Sequence, residues 1–312
     1  MSVYNGGAPL RAALDSVLAQ EGVDFELVAV DDGSTDDSGA FLEERAAHDD
    51  RLRVIRQPNS GLTQALIRGC AEARGEFIAR QDADDVSLPG RLARQANAMA
   101  ADSALAMVSC WTRAVAPGGE LLWTIRRVTN PAEATRRLLN EREGPPCHGS
   151  VMFRRASYEA VGGYRPQFWF AQDSDLWLRL SEVGLFLCIP EVLYLFTVGE
   201  GSISSTHRHM QNQFGELGHA CRHCRVRGES EDVPLREAAR LAERVAGARG
   251  RRGGRKGAAA YMIGRWLLRE GSPAAGRYLA RAVEREPWNV KAWISLIQAR
   301  GLVDQGSDKT GD

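Results

Sequence analysis

Three carboxylates crowd four consecutive positions at Asp82, Asp84 and Asp85. They follow the mainly apolar stretch 76–79, a pattern that indicates the end of a buried strand. Carboxylates this close repel one another unless a positive charge shares the site, and a hard divalent cation is the usual partner. An Asp-x-Asp pair at a strand end can place one carboxylate on a metal and the other on a sugar or ribose hydroxyl. Ordinary acidic turns carry the same motif, so a second signal is needed.

A second acidic cluster occupies the same kind of position. The apolar run 27–30 ends in the acidic stretch 31–36. Alternating helix and strand patterns separate the two clusters, as expected for parallel α/β units, and ligands bind at the carboxyl ends of strands in such sheets. Between them, Asn59 and Gly61 precede a helix pattern, and Gly61 suits a close backbone approach. The two strand ends therefore predict one ligand site.

A series of motifs over roughly residues 1–205 resembles family 2 glycosyltransferases in content and order. The motifs are SVYNGG (2–7), VDDGSTD (30–36), NSGL (59–62), DADD (82–85), HGSVMFRR (148–155), VGGY (161–164) and QDSDLWLRL (172–180). The resemblance implies a GT-A fold, a nucleotide-sugar donor and a divalent cation, Mn²⁺ or Mg²⁺. It also implies transfer with inversion at the anomeric carbon to a glycan or lipid-linked acceptor, in polysaccharide or envelope glycan synthesis.

The resemblance assigns the donor side of the site. Asp84 is the expected metal ligand, Asp82 is expected to face the ribose, and Asp32 to accept a hydrogen bond from the base imide of a UDP-sugar or dTDP-sugar. Asp31 has two interpretations, a donor contact or a structural acceptor for the turn that follows it. The other expected donor-binding residues are Tyr4, Asn5, Asn59 and Gly61.

The acceptor side centres on Asp173, at the predicted start of a helix where free backbone N–H groups stabilise a carboxylate. By resemblance Asp173 is the general base toward the acceptor hydroxyl; the alternative is a simple helix cap. Gln172 replaces a glutamate that is usual in the family and, with Trp169 and His148, is expected to bind the acceptor.

A second departure from the family concerns the metal. Many relatives have a histidine shortly before an element that here is GSIS (201–204), and the corresponding position is Gly199. Either His207 or His209 substitutes for it, or the metal rests on Asp84 and the diphosphate alone.

Composition is that of an ordinary soluble globular protein, with 44% hydrophobic and 26% charged residues among 312. The zero formal net charge predicts no nucleic-acid partner. The sequence has no apolar run of membrane-span length and no basic-then-apolar leader, so we expect a cytoplasmic protein with at most peripheral contact at the inner face of a membrane. Met1 stands where relatives end their first strand, so we expect a truncated first strand and an upstream start codon.

The predicted fold class is α/β, a Rossmann-like, mostly parallel GT-A sheet with helices on both faces, followed by an all-α extension. The expected divisions are a nucleotide-sugar half (1–115), an acceptor half (116–205) and a helical extension (206–312) with an Arg/Gly-rich linker near 248–257. The helix pair around 277–293 resembles one tetratricopeptide-like unit, which by itself cannot bury its own face, so we expect it to pack on the catalytic domain or to mediate self-association.

Competing functions are weaker. A nucleotidyltransferase would need a basic, Gly-rich phosphate loop near the N-terminus, and a receiver domain would need a lysine that the first 255 residues lack. A zinc site within 219–224 is disfavoured because its ligands crowd one helix. A degenerate transferase that only binds nucleotide sugars or glycans is the remaining alternative.

Overall fold

The computed structural model describes residues 1–199, 207–247 and 257–307, with side chains described as far as residue 300. The strands are β1 (Ser2–Val3), β2 (Leu27–Asp31), β3 (Leu52–Arg56), β4 (Phe77–Ala79), β5 (Val86–Ser87), β6 (Leu105–Val115), β7 (Leu121–Ile125), β8 (Met152–Arg154) and β9 (Leu185–Thr197). The helices are α1 (Pro9–Leu18), α2 (Ser38–Ala46), α3 (Leu62–Glu72), α4 (Arg91–Ala101), α5 (Pro131–Glu141), α6 (Arg155–Ala160), α7 (Gln172–Val183), α8 (Arg208–Arg227), α9 (Asp232–Gly247), α10 (Ala258–Arg269), α11 (Ala275–Arg285) and α12 (Val290–Ser307). The GSIS element and nearly all of the predicted linker lie outside the described residues.

The first sheet is parallel, in the order β1-β2-β3. Every residue of β2 is buried, as its unbroken apolar run predicts for a central parallel strand. β3 pairs with β2 so that Asp31 lies opposite Arg56. The α/β class is therefore confirmed.

The second sheet runs β4-β8-β6-β9-β5, with β7 paired to β6. Its pairs β4–β8, β6–β8 and β5–β9 are antiparallel. The expected mostly parallel arrangement is thus found in the first sheet only. β8, which starts just after His148 and Gly149, brings these residues back beside the end of β4.

Two clusters of buried side chains form the main core around the sheets. The first joins β2 to α1, α2 and α4, with Leu14, Leu42 and Met99 as members. The second joins Phe153 of β8 to Leu176 and Trp177 of α7, and to α5. A smaller cluster packs α8 and α9 against the aromatic segment 168–170, which leads into α7. All six cysteines are free thiols.

Contacts divide the chain into two compact units. The first holds residues 1–113 and 124–196 with α9 and most of α8, and it contains every residue of the site described below. The second joins the β6–β7 turn, Ala114–Trp123, to α10, α11 and α12. In it Tyr278 Oη donates to Glu120 Oε2 at 2.7 Å and accepts from the Gly118 N–H at 3.0 Å. The division into donor and acceptor halves stays a prediction.

Within the described residues, no helix combines the length and the apolar composition that a membrane crossing requires.

Candidate active site

Strand β1 holds the two acidic strand ends side by side. Ser2 pairs in parallel with Val30 on one side and with Asp82 on the other. The next residue, Val3, lies opposite Asp31, and its carbonyl accepts from the Asp32 N–H at 2.8 Å. Both acidic clusters therefore meet at the carboxyl end of β1, where the sequence predicted a single site.

The loop after β1 is tied to the first acidic loop through Asn5. The Asn5 Oδ1 atom accepts from the backbone N–H of Thr35 at 2.8 Å, and the Asn5 N–H donates to Ser34 Oγ at 3.0 Å. Asn5 has a φ of 51°, a left-handed conformation that asparagine tolerates better than most residues. Its neighbour Tyr4 is exposed. Asn5 thus shapes the loop, and the exposed ring of Tyr4 lies beside it in the chain.

Asp31 and Asp32 are both buried but have different partners. Asp31 Oδ1 accepts from the Ser34 N–H at 2.9 Å, and Asp31 Oδ2 lies 3.9 Å from Arg56 Nε. These contacts match the structural interpretation of Asp31.

Asp32 organises the loop that carries Asn59 and Gly61. Its carboxylate accepts from Gln57 Nε2 at 2.7 Å and from the backbone N–H groups of Ser60 and Gly61, both at 2.8 Å. Asn59 Nδ2 donates to the Asp32 carbonyl at 2.9 Å, and Gly61 has a φ of 91°, which favours glycine. A carboxylate offers about four acceptor positions. Three are occupied by these contacts, which leaves one acceptor position on the carboxylate.

Arg80 links the donor side to the acceptor side. This buried side chain places Nη2 2.6 Å from Asp82 Oδ1 and Nε 3.2 Å from His148 Nε2. Burial by itself would raise the pKa of Asp82, but the Arg80 charge lowers it below its usual value. Asp82 is therefore a carboxylate whose charge the protein already balances.

His148 is neutral. Burial and the Arg80 charge lower its pKa to about 4. Because a guanidinium can only donate, Nε2 must be the acceptor and Nδ1 carries the proton. Tyr164 Oη lies 2.6 Å from the same Nε2, and the Trp177 ring meets the imidazole edge-on at 5.6 Å. His148 is thus fixed in one orientation.

Asp84 differs from Asp82 in its electrostatics. Its side chain is exposed at the surface. Partial desolvation by the surrounding residues and, second, the negative charge of Asp82 raise its pKa to about 6. A divalent cation beside Asp84 would stabilise its charged form, and a carboxylate oxygen is a ligand that such a cation accepts. No group of three or more His, Cys, Asp or Glu forms a ready metal site in the described ranges. A cation here would need most of its ligands from a bound diphosphate or water.

Asp173 lies in the first turn of α7, as predicted. Its Oδ1 accepts from the Ser174 N–H at 2.8 Å, and its charge acts on His148 and Tyr164. The residue before the helix, Ala171, has a φ of 52°, a strained conformation for alanine and a feature that clusters at functional sites. Gln172 is buried at the helix start.

Asp175 and Arg179 anchor α7. Asp175 Oδ2 accepts from Arg179 Nη2 at 2.5 Å, and both residues are buried. Arg179 Nη1 also donates to the carbonyls of Val161 and Gly163 at 2.8 and 2.7 Å. The pair therefore fixes the VGGY segment, and with it Tyr164, against the helix that carries Asp173.

Arg91, which sequence reasoning missed, stabilises the acidic loop through buried hydrogen bonds. It is 1% exposed and donates to Gln81 Oε1 at 2.9 Å and to the Arg80 carbonyl at 2.6 Å. Its guanidinium lies 4.7 Å from the centre of the Tyr194 ring, and the Tyr194 hydroxyl accepts from the Asp82 N–H at 3.2 Å. The sequence offered one signal for Arg80, since it is a basic residue two positions before the acidic cluster. It offered no comparable signal for Arg91.

The remaining expected residues fall outside this centre. Trp169 is half-buried against the aromatic cluster of Phe168, Phe170 and Phe214. His207 and His209 are exposed, and neither joins a metal-ligand group within the described ranges. The 219–224 segment lies in α8, so its candidate ligands crowd one helix, as the sequence predicted.

The profile of glycosyl transferase family 2 matches residues 1–162. The chain belongs to this family. Among curated relatives of this family 2 chain, a putative glycosyltransferase, EpsE of Bacillus subtilis, is 31% identical over 59% of the chain and 66% of EpsE. Chondroitin synthase of Pasteurella multocida is 29% identical over 61% of the chain and 19% of that synthase. The match therefore spans less than two thirds of the length of either relative.

Solved structures show the same GT-A fold. The mannosyltransferase PcManGT of Pyrobaculum calidifontis, in complex with GDP-Man and Mn²⁺, superposes with a TM-score of 0.55 at 19% identity over 96% of this chain and 84% of its own. S. aureus TarS 1-349 in complex with UDP gives a TM-score of 0.56 at 16% identity over 100% and 90%.

Proposed function

We propose that this chain is an inverting glycosyltransferase. It transfers a sugar from a nucleoside diphosphate donor, a UDP-sugar first, to a hydroxyl group of a glycan or lipid-linked acceptor. Relatives named as polysaccharide synthases support a role in polysaccharide or envelope glycan synthesis. A cytoplasmic location at the inner face of the membrane belongs to the same proposal.

One observation carries the proposal: the buried Arg80 joins Asp82, at the end of β4, to His148, which precedes β8. We assign Asp82 to the donor and Asp173 to the acceptor, and the charges of both carboxylates act on this imidazole. Transfer needs the two substrates within reach of each other, and this arrangement supports that proximity.

The residues then take separate roles. Asp82, held by Arg80, accepts from a ribose hydroxyl, while Asp32 keeps one acceptor position for the base. Asp173 takes the proton from the acceptor hydroxyl as the new glycosidic bond forms. A divalent cation, Mn²⁺ or Mg²⁺, held by Asp84 would supply charge stabilisation to the departing diphosphate.

Two departures from the family pattern, Gln172 and Gly199, keep the binding scaffold as a second candidate. Calorimetric titration of UDP, GDP and dTDP with and without Mn²⁺, followed by NMR of the sugar product, separates the candidates. We expect metal-dependent nucleotide binding and a product of inverted anomeric configuration. Nucleotide binding without any product would select the binding scaffold. A chain that neither binds a nucleotide nor forms a product would contradict both candidates.

A further inference from the structure

Helix α12 (Val290–Ser307) is apolar on two opposite sides. Successive residues turn by about 100° around a helix axis, which separates two sets of side chains by half a turn. One set is buried and comprises Ala292, Ser295, Leu296 and Ala299. The other set is exposed and comprises Val290, Trp293, Ile294 and Ile297, with exposed fractions of 67%, 46%, 52% and 67%. The buried set explains how the helix packs; the exposed set needs another explanation.

The exposed set continues into the turn before the helix. Trp288 is 75% exposed and precedes Val290 by two residues. The indole N–H of Trp293 donates to the Pro287 carbonyl at 2.9 Å, so its polar atom is already satisfied within the protein. We call these five side chains, Trp288, Val290, Trp293, Ile294 and Ile297, the outer face of α12. A contiguous apolar patch of this kind marks a site of interaction.

From residue 288 to residue 300, the two charged residues beside the outer face are both positive, and the next acidic residue of the helix is Asp304. Lys291 and Arg300 are exposed and border the face on opposite edges, at about 100° and 280° from Val290 around the axis. The sequence from 288 to 300 contains no Asp or Glu. The occupant of the face is therefore expected to be apolar and anionic.

A second copy of the chain meets this requirement poorly. If two outer faces packed together, Lys291 and Arg300 of one copy would face the same basic residues of the other, with no acidic residue of the face between them. Like charges placed together in an interface weaken association. A second copy of the chain, one of the two alternatives that the sequence left open for these helices, is thus the less favoured occupant.

We propose that the outer face of α12 binds the surface of a membrane that contains anionic phospholipid. Helices that lie in the membrane interface combine Trp and aliphatic side chains on one face with Lys and Arg at its borders. The apolar side chains enter the headgroup boundary, and the two cations meet lipid phosphates. Because no described helix can span a bilayer, the contact is peripheral. The proposal does not depend on the reaction at the acidic loops.

Flotation of the full chain with vesicles tests the proposal. The variant Ile294→Gln with Ile297→Gln removes two exposed apolar side chains without touching the buried set. We expect its partitioning onto phosphatidylglycerol-containing vesicles to fall on the order of tenfold or more. The matched control, Val226→Gln with Val233→Gln, removes side chains of 68% and 66% exposure on other helices and should bind like the wild type.

Two further variants separate the contributions. Trp288 lies outside the helix, so the variant Trp288→Ser keeps the test valid if the double variant fails to fold. Trp288→Ser should also weaken binding to the vesicles. Lys291→Gln with Arg300→Gln should lower binding on the order of tenfold on phosphatidylglycerol vesicles, with little effect on the weak binding to phosphatidylcholine alone.

Two results overturn the proposal. The first is a wild-type chain that does not float with phosphatidylglycerol vesicles. The second is sedimentation equilibrium showing a dimer that Ile294→Gln with Ile297→Gln converts to a monomer, while vesicle binding is unchanged. That second result would assign the outer face of α12 to self-association.

Discussion

The buried Arg80 and the half-buried Asp82 form an ion pair just after β4, with Arg80 Nη2 2.6 Å from Asp82 Oδ1. The positive charge that the acid cluster requires is thus partly built into the protein. The pair balances Asp82 and leaves Asp84 as the carboxyl group whose pKa is raised, to about 6. Asp84 is therefore the carboxylate that we assign to the cation in the proposed reaction.

Asp84→Asn should leave the fold intact and remove most metal-dependent transfer. Losing an anionic ligand to the cation should lower the rate on the order of 10²-fold or more. The matched control is Asp24→Asn, which removes an exposed carboxylate from the loop before β2, at the opposite end of that strand. Unchanged turnover in Asp84→Asn, with a wild-type melting temperature, would remove Asp84 from the site.

Asp173→Asn should spare nucleotide binding and abolish transfer, because the residue acts on the acceptor. Loss of a general base typically costs about 10²- to 10⁴-fold in rate. Asp232→Asn makes the same change in the first turn of α9 and controls for the loss of a helix-stabilising charge. If Asp173→Asn instead weakened UDP binding in calorimetry, the residue would belong to the donor side.

Arg91→Met should destabilise the protein. It leaves the Gln81 side chain, the Ser87 hydroxyl and the Arg80 carbonyl without their buried donor, and we expect the free energy of unfolding to fall by about 2–4 kcal/mol. Arg94→Met, on the same helix, removes an exposed ion pair with Glu191 and should cost at most about 1 kcal/mol. Equal denaturant midpoints for the two variants would contradict a supporting role for Arg91.

His148 should make stability depend on pH. Its pKa in the folded protein, about 4, lies below the usual 6.5, so in that window the unfolded chain binds more protons. Stability due to this group is therefore complete above pH 6.5 and is lost as the pH falls toward 4.

Because other groups titrate in the same range, the comparison of the wild type with His148→Gln isolates the effect. The difference between their free energies of unfolding should change on the order of 2 kcal/mol between these limits. A difference independent of pH would show that His148 is not held neutral.

The sequence predicted what depends on local pattern. Apolar runs ending in acids located β2 and β4, and Asp173 was placed correctly at the start of a helix. Arg91 could not be found this way, because its contact with Tyr194 of the distant strand β9 exists only in the folded protein. The antiparallel pairs β4–β8, β6–β8 and β5–β9 escaped for the same reason, since strand direction depends on where β8 and β9 return.

The measurement that tests the central claim most directly is nucleoside diphosphate release from UDP-sugars by the full chain, with acceptor glycan and Mn²⁺ present. We predict release by the wild type that stops when a chelator removes the metal and that Asp173→Asn lacks. Release at the same rate from wild type and Asp173→Asn, or no release from UDP-, GDP- or dTDP-sugars by a folded wild type, would contradict the account.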